Sequence, residues 1–157
     1  MKRFIATLVV SLIVSSLAVS AEITPLKPSK KDKCPVCGMF VFKYPDWTAQ
    51  IIFTDGTVFF FDGAKDLFKF YFDIKKYSPE KSQKDIAAIF VTEYYEMKLI
   101  QAEDAFFVIG SDVYGPMGHE LIPFASKADA EGFRNDHKGN RILRFEKIKP
   151  AIIKKLD

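Results

Sequence analysis

An α+β fold of two similar ββαβ units, packed as one compact domain, is what the 157-residue sequence predicts. Three observations carry this. Runs rich in β-branched and aromatic residues alternate with an amphipathic helical pattern in each half of the chain. Phe61, Gly63, Asp66 and Phe70 align with Phe124, Ser126, Asp129 and Phe133 at a constant offset of 63 residues. Sixteen phenylalanines supply the apolar surface of a packed core.

The elements follow in order. Lys2 and Arg3 precede an apolar stretch from Phe4 to Leu17, and Val19-Ser20-Ala21 places small residues at a cleavage position. Residues 1–21 therefore read as a secretory signal peptide, with an uncleaved anchor as the alternative. Residues 22–33 carry Pro25, Pro28 and six charged side chains and read as an extended linker, with the domain spanning 34–157.

Trp47 to Phe53 has the bulk of a strand. Asp55-Gly56 signals a hairpin with a type I′ turn, and Thr57 to Phe61 returns. Asp62 fits a helix N-cap, and Ala64, Leu67, Phe68 and Tyr71 recur at helical spacing up to Ser78-Pro79. Ile86 to Tyr94 is a strand, and Met97 to Gln101 continues the sheet after a bend. These elements make a first unit of about 34–101.

The second unit, about 102–157, runs alike. Ala105 to Ile109 and Leu121 to Phe124 are strands. Ser126 caps a helix from Lys127 to His137, with Gly139 placed to stop it. Asn140 to Glu146 is a strand, and Pro150 opens a short terminal helix.

Net charge is +3, of which Lys2 and Arg3 supply two, so the body is almost neutral. Nothing in that balance suggests a nucleic-acid surface. With two histidines and no phosphate-binding glycine loop, no active site and no small-molecule substrate are legible. Asp55, Asp62, Asp66 and Asp73 read as turn, cap and helix-surface residues.

The chemistry-bearing segment is Cys34-Pro35-Val36-Cys37-Gly38-Met39. Two residues between cysteines let both sulfurs face one point, and Gly38 permits the tight turn that frees backbone N–H groups for them. Such knuckles come in pairs in four-cysteine zinc or iron sites, and this chain has one; zinc could still use Cys34, Cys37, His119 and a carboxylate, without the usual closely spaced histidine pair. Thiolates and thioethers are soft donors, which select Cu(I). If Phe40-Val41-Phe42 and the residues before it are extended, Cys37 and Met39 point to one side. Met117 lies in Gly115-Pro116-Met117-Gly118, read as a loop, with His119 two residues on. Cys37, Met117, Met39, Cys34 and His119 are thus the candidate metal ligands. His137 is explained by its helix end. Two other uses of the cysteine pair remain open: thiol–disulfide exchange, and a Cys34–Cys37 disulfide that only staples the loop.

Cys37-Gly38-Met39 together with Tyr114-Gly115-Pro116-Met117-Gly118-His119-Glu120-Leu121-Ile122-Pro123-Phe124 resembles the NosL family, over about Cys34 to Glu146. The resemblance implies a pair of ββαβ units similar to a domain of organomercurial lyase. It implies an exported, periplasmic copper-binding accessory protein, not an enzyme. Such proteins deliver Cu(I) to nitrous oxide reductase in denitrification, working with the apo enzyme and a membrane ABC-type assembly complex. It carries a Cu(I)-ligand role to Cys37 and Met117, with Met39 and His119 following. Two departures stand out. Ala21-Glu22 occupies the place where lipoprotein members have a cysteine, and Cys34 lies outside the family pattern.

Overall fold

The computed structural model describes residues 23–157. The signal-peptide assignment for 1–21, and Glu22, lie outside the described residues. Two antiparallel sheets form the fold. The first contains β1 (Ala49–Phe53), β2 (Val58–Phe61), β3 (Ile86–Thr92) and β4 (Leu99–Gln101), in the order β2-β1-β3-β4. Its helices are α1 (Ala64–Phe72) and α2 (Ile74–Tyr77), between β2 and β3. The second sheet contains β5 (Phe106–Gly115), β6 (Gly118–Phe124) and β7 (Arg141–Arg144), in the order β6-β5-β7. Helix α3 (Lys127–Asp136) joins β6 to β7, and α4 (Pro150–Lys154) closes the chain.

Each unit is ββαβ with its first strand in the middle. Ala49 pairs with both Phe61 and Val91, and Phe106 pairs with both Phe124 and Arg144. The 63-residue alignment holds in three dimensions. Phe61 and Phe124 end strands, Gly63 and Ser126 are N-caps, and Phe70 and Phe133 are buried on the helices.

Strand periodicity explains how the units meet. Ala49, Ile51 and Phe53 face the main core with Leu67, Phe68 and Phe70 of α1. From the second sheet Phe107, Ile109, Leu121 and Leu143 enter the same core. The opposite face of that sheet, with Val108, Ile122 and Phe124, packs on Phe133 of α3 in a smaller core. Helix α1 is therefore shared by both units, whereas α3 packs on its own sheet and on Tyr94 and Tyr95 of the first unit.

Several expectations change in detail. Only Gly56 (φ 84°) has positive φ in the first hairpin. Its N–H donates to Phe53 O at 2.9 Å, so the turn is a three-residue loop with glycine in the left-handed position, not type I′. Strand β3 stops at Thr92. Tyr94 instead donates its N–H to Pro123 O at 3.0 Å and packs on Phe124 and Phe133. The Met117 segment is not a free loop: Gly115 pairs with Gly118, leaving Pro116-Met117 as a two-residue hairpin tip. The extended segment before Cys34 is tied to the fold. Gln50, fully buried, exchanges two 2.9 Å hydrogen bonds with the backbone N–H and C=O of Leu26. Its amide is thereby satisfied on the back of the sheet.

Candidate metal centre

The knuckle folds as a tight turn rather than an extended run. Cys34 N–H donates to Met39 O and Gly38 N–H to Cys34 O, both at 2.9 Å, and Gly38 takes φ 79°. Glycine adopts that conformation without the steric penalty of a side chain. Residues 41–43 then form a 3-10 turn. The extended geometry that would align Cys37 with Met39 is thus absent. Backbone N–H groups do approach the sulfurs: Val36 and Cys37 at Cys34, and Met39 at Cys37.

The knuckle docks on the start of α1. Cys34 is 1% exposed and its thiol donates to Asp66 Oδ2 at 3.4 Å. Half-buried Cys37 donates to Asp62 Oδ1 at 3.1 Å. One ligand atom from each of Cys34, Cys37, Asp62 and Asp66 lies within 4.8 Å of the other three. Asp62 and Asp66 are each 1% exposed. This corrects their assignment as cap and surface residues. Gly63 holds the N-cap, and Asp62 points at a sulfur instead. One signal for Asp66 was in the sequence: it lies one helical turn before Phe70, a core residue, and so shares its buried face. Asp55 and Asp73 are exposed, in a turn and at a helix end, as expected.

Both cysteines are free thiols. Burial pushes the Cys37 thiol up to about 12, helped by its bond to Asp62 and opposed by the Met39 amide. Burial also raises Cys34, against the Cys37 and Val36 amides. Negative groups gather here partly because the N-terminal end of α1 favours them.

The other candidates sit on the knuckle itself and on the β5–β6 hairpin. Met39 contributes its carbonyl to the knuckle, with its side chain half-buried. Met117, 40% exposed at the hairpin tip, is held by its carbonyl, which accepts from Lys65 Nζ at 2.7 Å. Lys65 sits on α1 beside Asp66, so the tip is anchored to the helix that carries Asp66. His119 is exposed, its ring 4.7 Å from that of Tyr114, and it is not among the clustered ligand groups.

Paired ββαβ units carry, at the start of their shared helix, a thiol–carboxylate cluster that could hold a metal ion. A sequence model of the NosL family matches residues 25–153, and the chain belongs to that family. It is 29% identical over 143 residues to the copper-binding lipoprotein NosL of Stutzerimonas stutzeri, covering 86% of this chain and 71% of that one. The crystal structure of the copper chaperone NosL from Shewanella denitrificans is similar, with TM-score 0.69 and 26% identity over 82% of this chain and 97% of that one. The solution structure of apo-NosL from Achromobacter cycloclastes is 26% identical, over 67% of this chain and 87% of that one, with TM-score 0.48. The first two of these relatives are named for copper, one as a copper-binding lipoprotein and one as a copper chaperone.

Proposed function

We propose that the protein is a periplasmic Cu(I) metallochaperone, with copper as its cargo. Two adjacent sulfurs support this, one buried and one at the rim. Cys37 holds the ion as thiolate, Cys34 adds a second thiolate, and Met117 closes the site from the hairpin tip. Met39 and His119 complete the ligand set during loading or release. Soft, low-coordinate ligation suits Cu(I), and a half-open rim lets a recipient's ligands replace these stepwise. The recipient is an exported copper enzyme, nitrous oxide reductase, reached with its membrane ABC-type assembly complex. Residues 1–21 direct its export. Thiol–disulfide exchange needs a thiol with a lowered pKa, and both thiols here are raised.

The test is an anaerobic Cu(I) titration of the reduced protein against a chromogenic competitor. One equivalent binds tightly, binding is lost in Cys37→Ser and weakened in Met117→Ala. Unchanged affinity in Cys37→Ser would sink the assignment. Because the thiols are protonated before binding, affinity rises with pH, by about tenfold per pH unit for each thiol deprotonated. Wild type therefore shows about twice the logarithmic slope of Cys34→Ser.

A further inference from the structure

The segment before the knuckle reads in sequence as a linker, yet it is fixed to the domain. Leu26 is held by Gln50, Val41 N–H donates to Asp32 O at 3.1 Å, and Lys33 pairs with Phe40 in a β-bridge. Lys27, Lys30, Lys31 and Lys33 therefore stay on the surface of the fold, and Lys43 joins them across the knuckle. All five are exposed, and none makes an ion pair among the described residues. The acids beside them are Asp32, whose carboxylate accepts from Ser29 N–H, and exposed Asp46. Glu96 is paired with Lys98 at 2.9 Å. In a body that is almost neutral, this is a local excess of positive charge.

Apolar side chains share that surface. The Nζ atoms of Lys33 and Lys43 lie 4.7 and 5.9 Å from the centre of the Phe40 ring. Phe40 meets Phe42 edge-on, with ring centres 6.1 Å apart. Phe42 in turn lines a cleft of about 350 Å3 with Leu26, Lys27, Met97 and Leu99. Leu26, Phe40, Phe42 and Met97 are four of the eight large hydrophobic side chains that stand exposed among the described residues. Scattered singly they would need no explanation, but gathered in one patch they mark a surface that something covers.

We propose that this patch docks on an anionic phospholipid bilayer, with the five lysines at the headgroup phosphates and Leu26, Phe40, Phe42 and Met97 in the boundary beneath them. Lysines interleaved with phenylalanine and leucine are the composition of a surface that lies in the membrane interface. A lysine lays its stem along apolar surface and lifts its ammonium to the polar level, and Lys33 and Lys43 are already placed over Phe40 to do so. An acidic protein would also attract the lysines, but lysine is depleted where proteins meet proteins, so the bilayer is the better match. None of these side chains is a candidate copper ligand, and the docking stands apart from the copper function.

The test is co-sedimentation with vesicles. It uses the chain from Glu22 onward, because residues 23–157 hold both sheets and both cores, and the apolar run before them would bind lipid by itself. The protein should pellet with phosphatidylglycerol–phosphatidylethanolamine vesicles at low salt, come off as salt rises, and stay in solution with phosphatidylcholine alone. Lys27→Glu/Lys30→Glu/Lys43→Glu should weaken binding more than about a hundredfold, at about fivefold per lysine lost. Leu26→Ser/Phe42→Ser should weaken it about tenfold. Lys127→Glu/Lys138→Glu/Arg141→Glu makes the same charge change at exposed positions of the second unit and should keep most of the binding. Failure of the unmodified chain to pellet with the anionic vesicles overturns the proposal and leaves an acidic protein as the partner. Equal loss in the two lysine-patch and second-unit variants also overturns it, since the attraction would then be general. Undiminished pelleting of Leu26→Ser/Phe42→Ser does so too.

Discussion

Helices α1 and α3 occupy matching places in the two units, yet their N-termini are finished in opposite ways. At α3, Ser126 caps the helix from within: its Oγ accepts from Asp129 N–H at 3.1 Å, and Asp129 stays exposed. At α1 the matching residue is Gly63, with no side chain. The cap comes from the other unit, where the buried Glu120 carboxylate accepts from Lys65 N–H at 2.9 and 3.2 Å. A Cβ on Gly63 would lie 2.7 Å from Glu120 Oε1. Gly63 has extended backbone (φ −175°), so space and not conformation demands glycine. Asp66, the counterpart of Asp129, is thereby free to face the knuckle. Moving the cap off the helix's own sequence opened its first turn to the site.

The largest expected effect separates the helix of the main core from the helix of the smaller one. Phe68 lies in the main core against Phe107 and Phe145, while Phe133 lies in the smaller core against Tyr94. Phe68→Ala should cost about 5 kcal/mol and Phe133→Ala about 3 kcal/mol, the two ends of the usual range. Chemical denaturation measures both, and equal costs would break the distinction. Cu(I) binding at room temperature should survive Phe133→Ala and weaken in Phe68→Ala.

Exchanging the caps is next. Serine is the better N-cap by propensity, yet Gly63→Ser should destabilise by about 1–3 kcal/mol because it overpacks against Glu120. Ser126→Gly should cost only a few tenths of a kcal/mol. Thermal unfolding that showed Gly63→Ser stabilised would mean the Glu120 carboxylate gives way freely.

A pH dependence also sets the borrowed cap apart from the one at α3. Burial pushes Glu120 up to about 8 from its ordinary 4.5, outweighing the Lys65 and Leu121 amides that favour the carboxylate. Between those values the folded chain keeps a proton that the unfolded chain has released. Stability therefore declines as pH rises across this window. Glu120→Gln should flatten the slope of unfolding free energy against pH there, whereas Ser126→Ala should leave it unchanged.

The sequence by itself determined the two-unit order, the α3 cap and the knuckle. Hydrophobic period, cap chemistry and the spacing of Cys34, Cys37 and Gly38 all act within a few residues. The turn type at Gly56 and the extended Cys37–Met39 geometry were misjudged, because a neighbouring residue or one φ angle tips such choices. What only the tertiary structure decided lies across long separations. Cys37 meets Asp62 across 25 residues, Cys34 meets Asp66 across 32, and Lys65 meets Glu120 across 55. An aspartate near a helix start looks the same in sequence whether it is exposed like Asp129 or buried like Asp66. The difference comes from what packs above it, and only the folded chain supplies that neighbour.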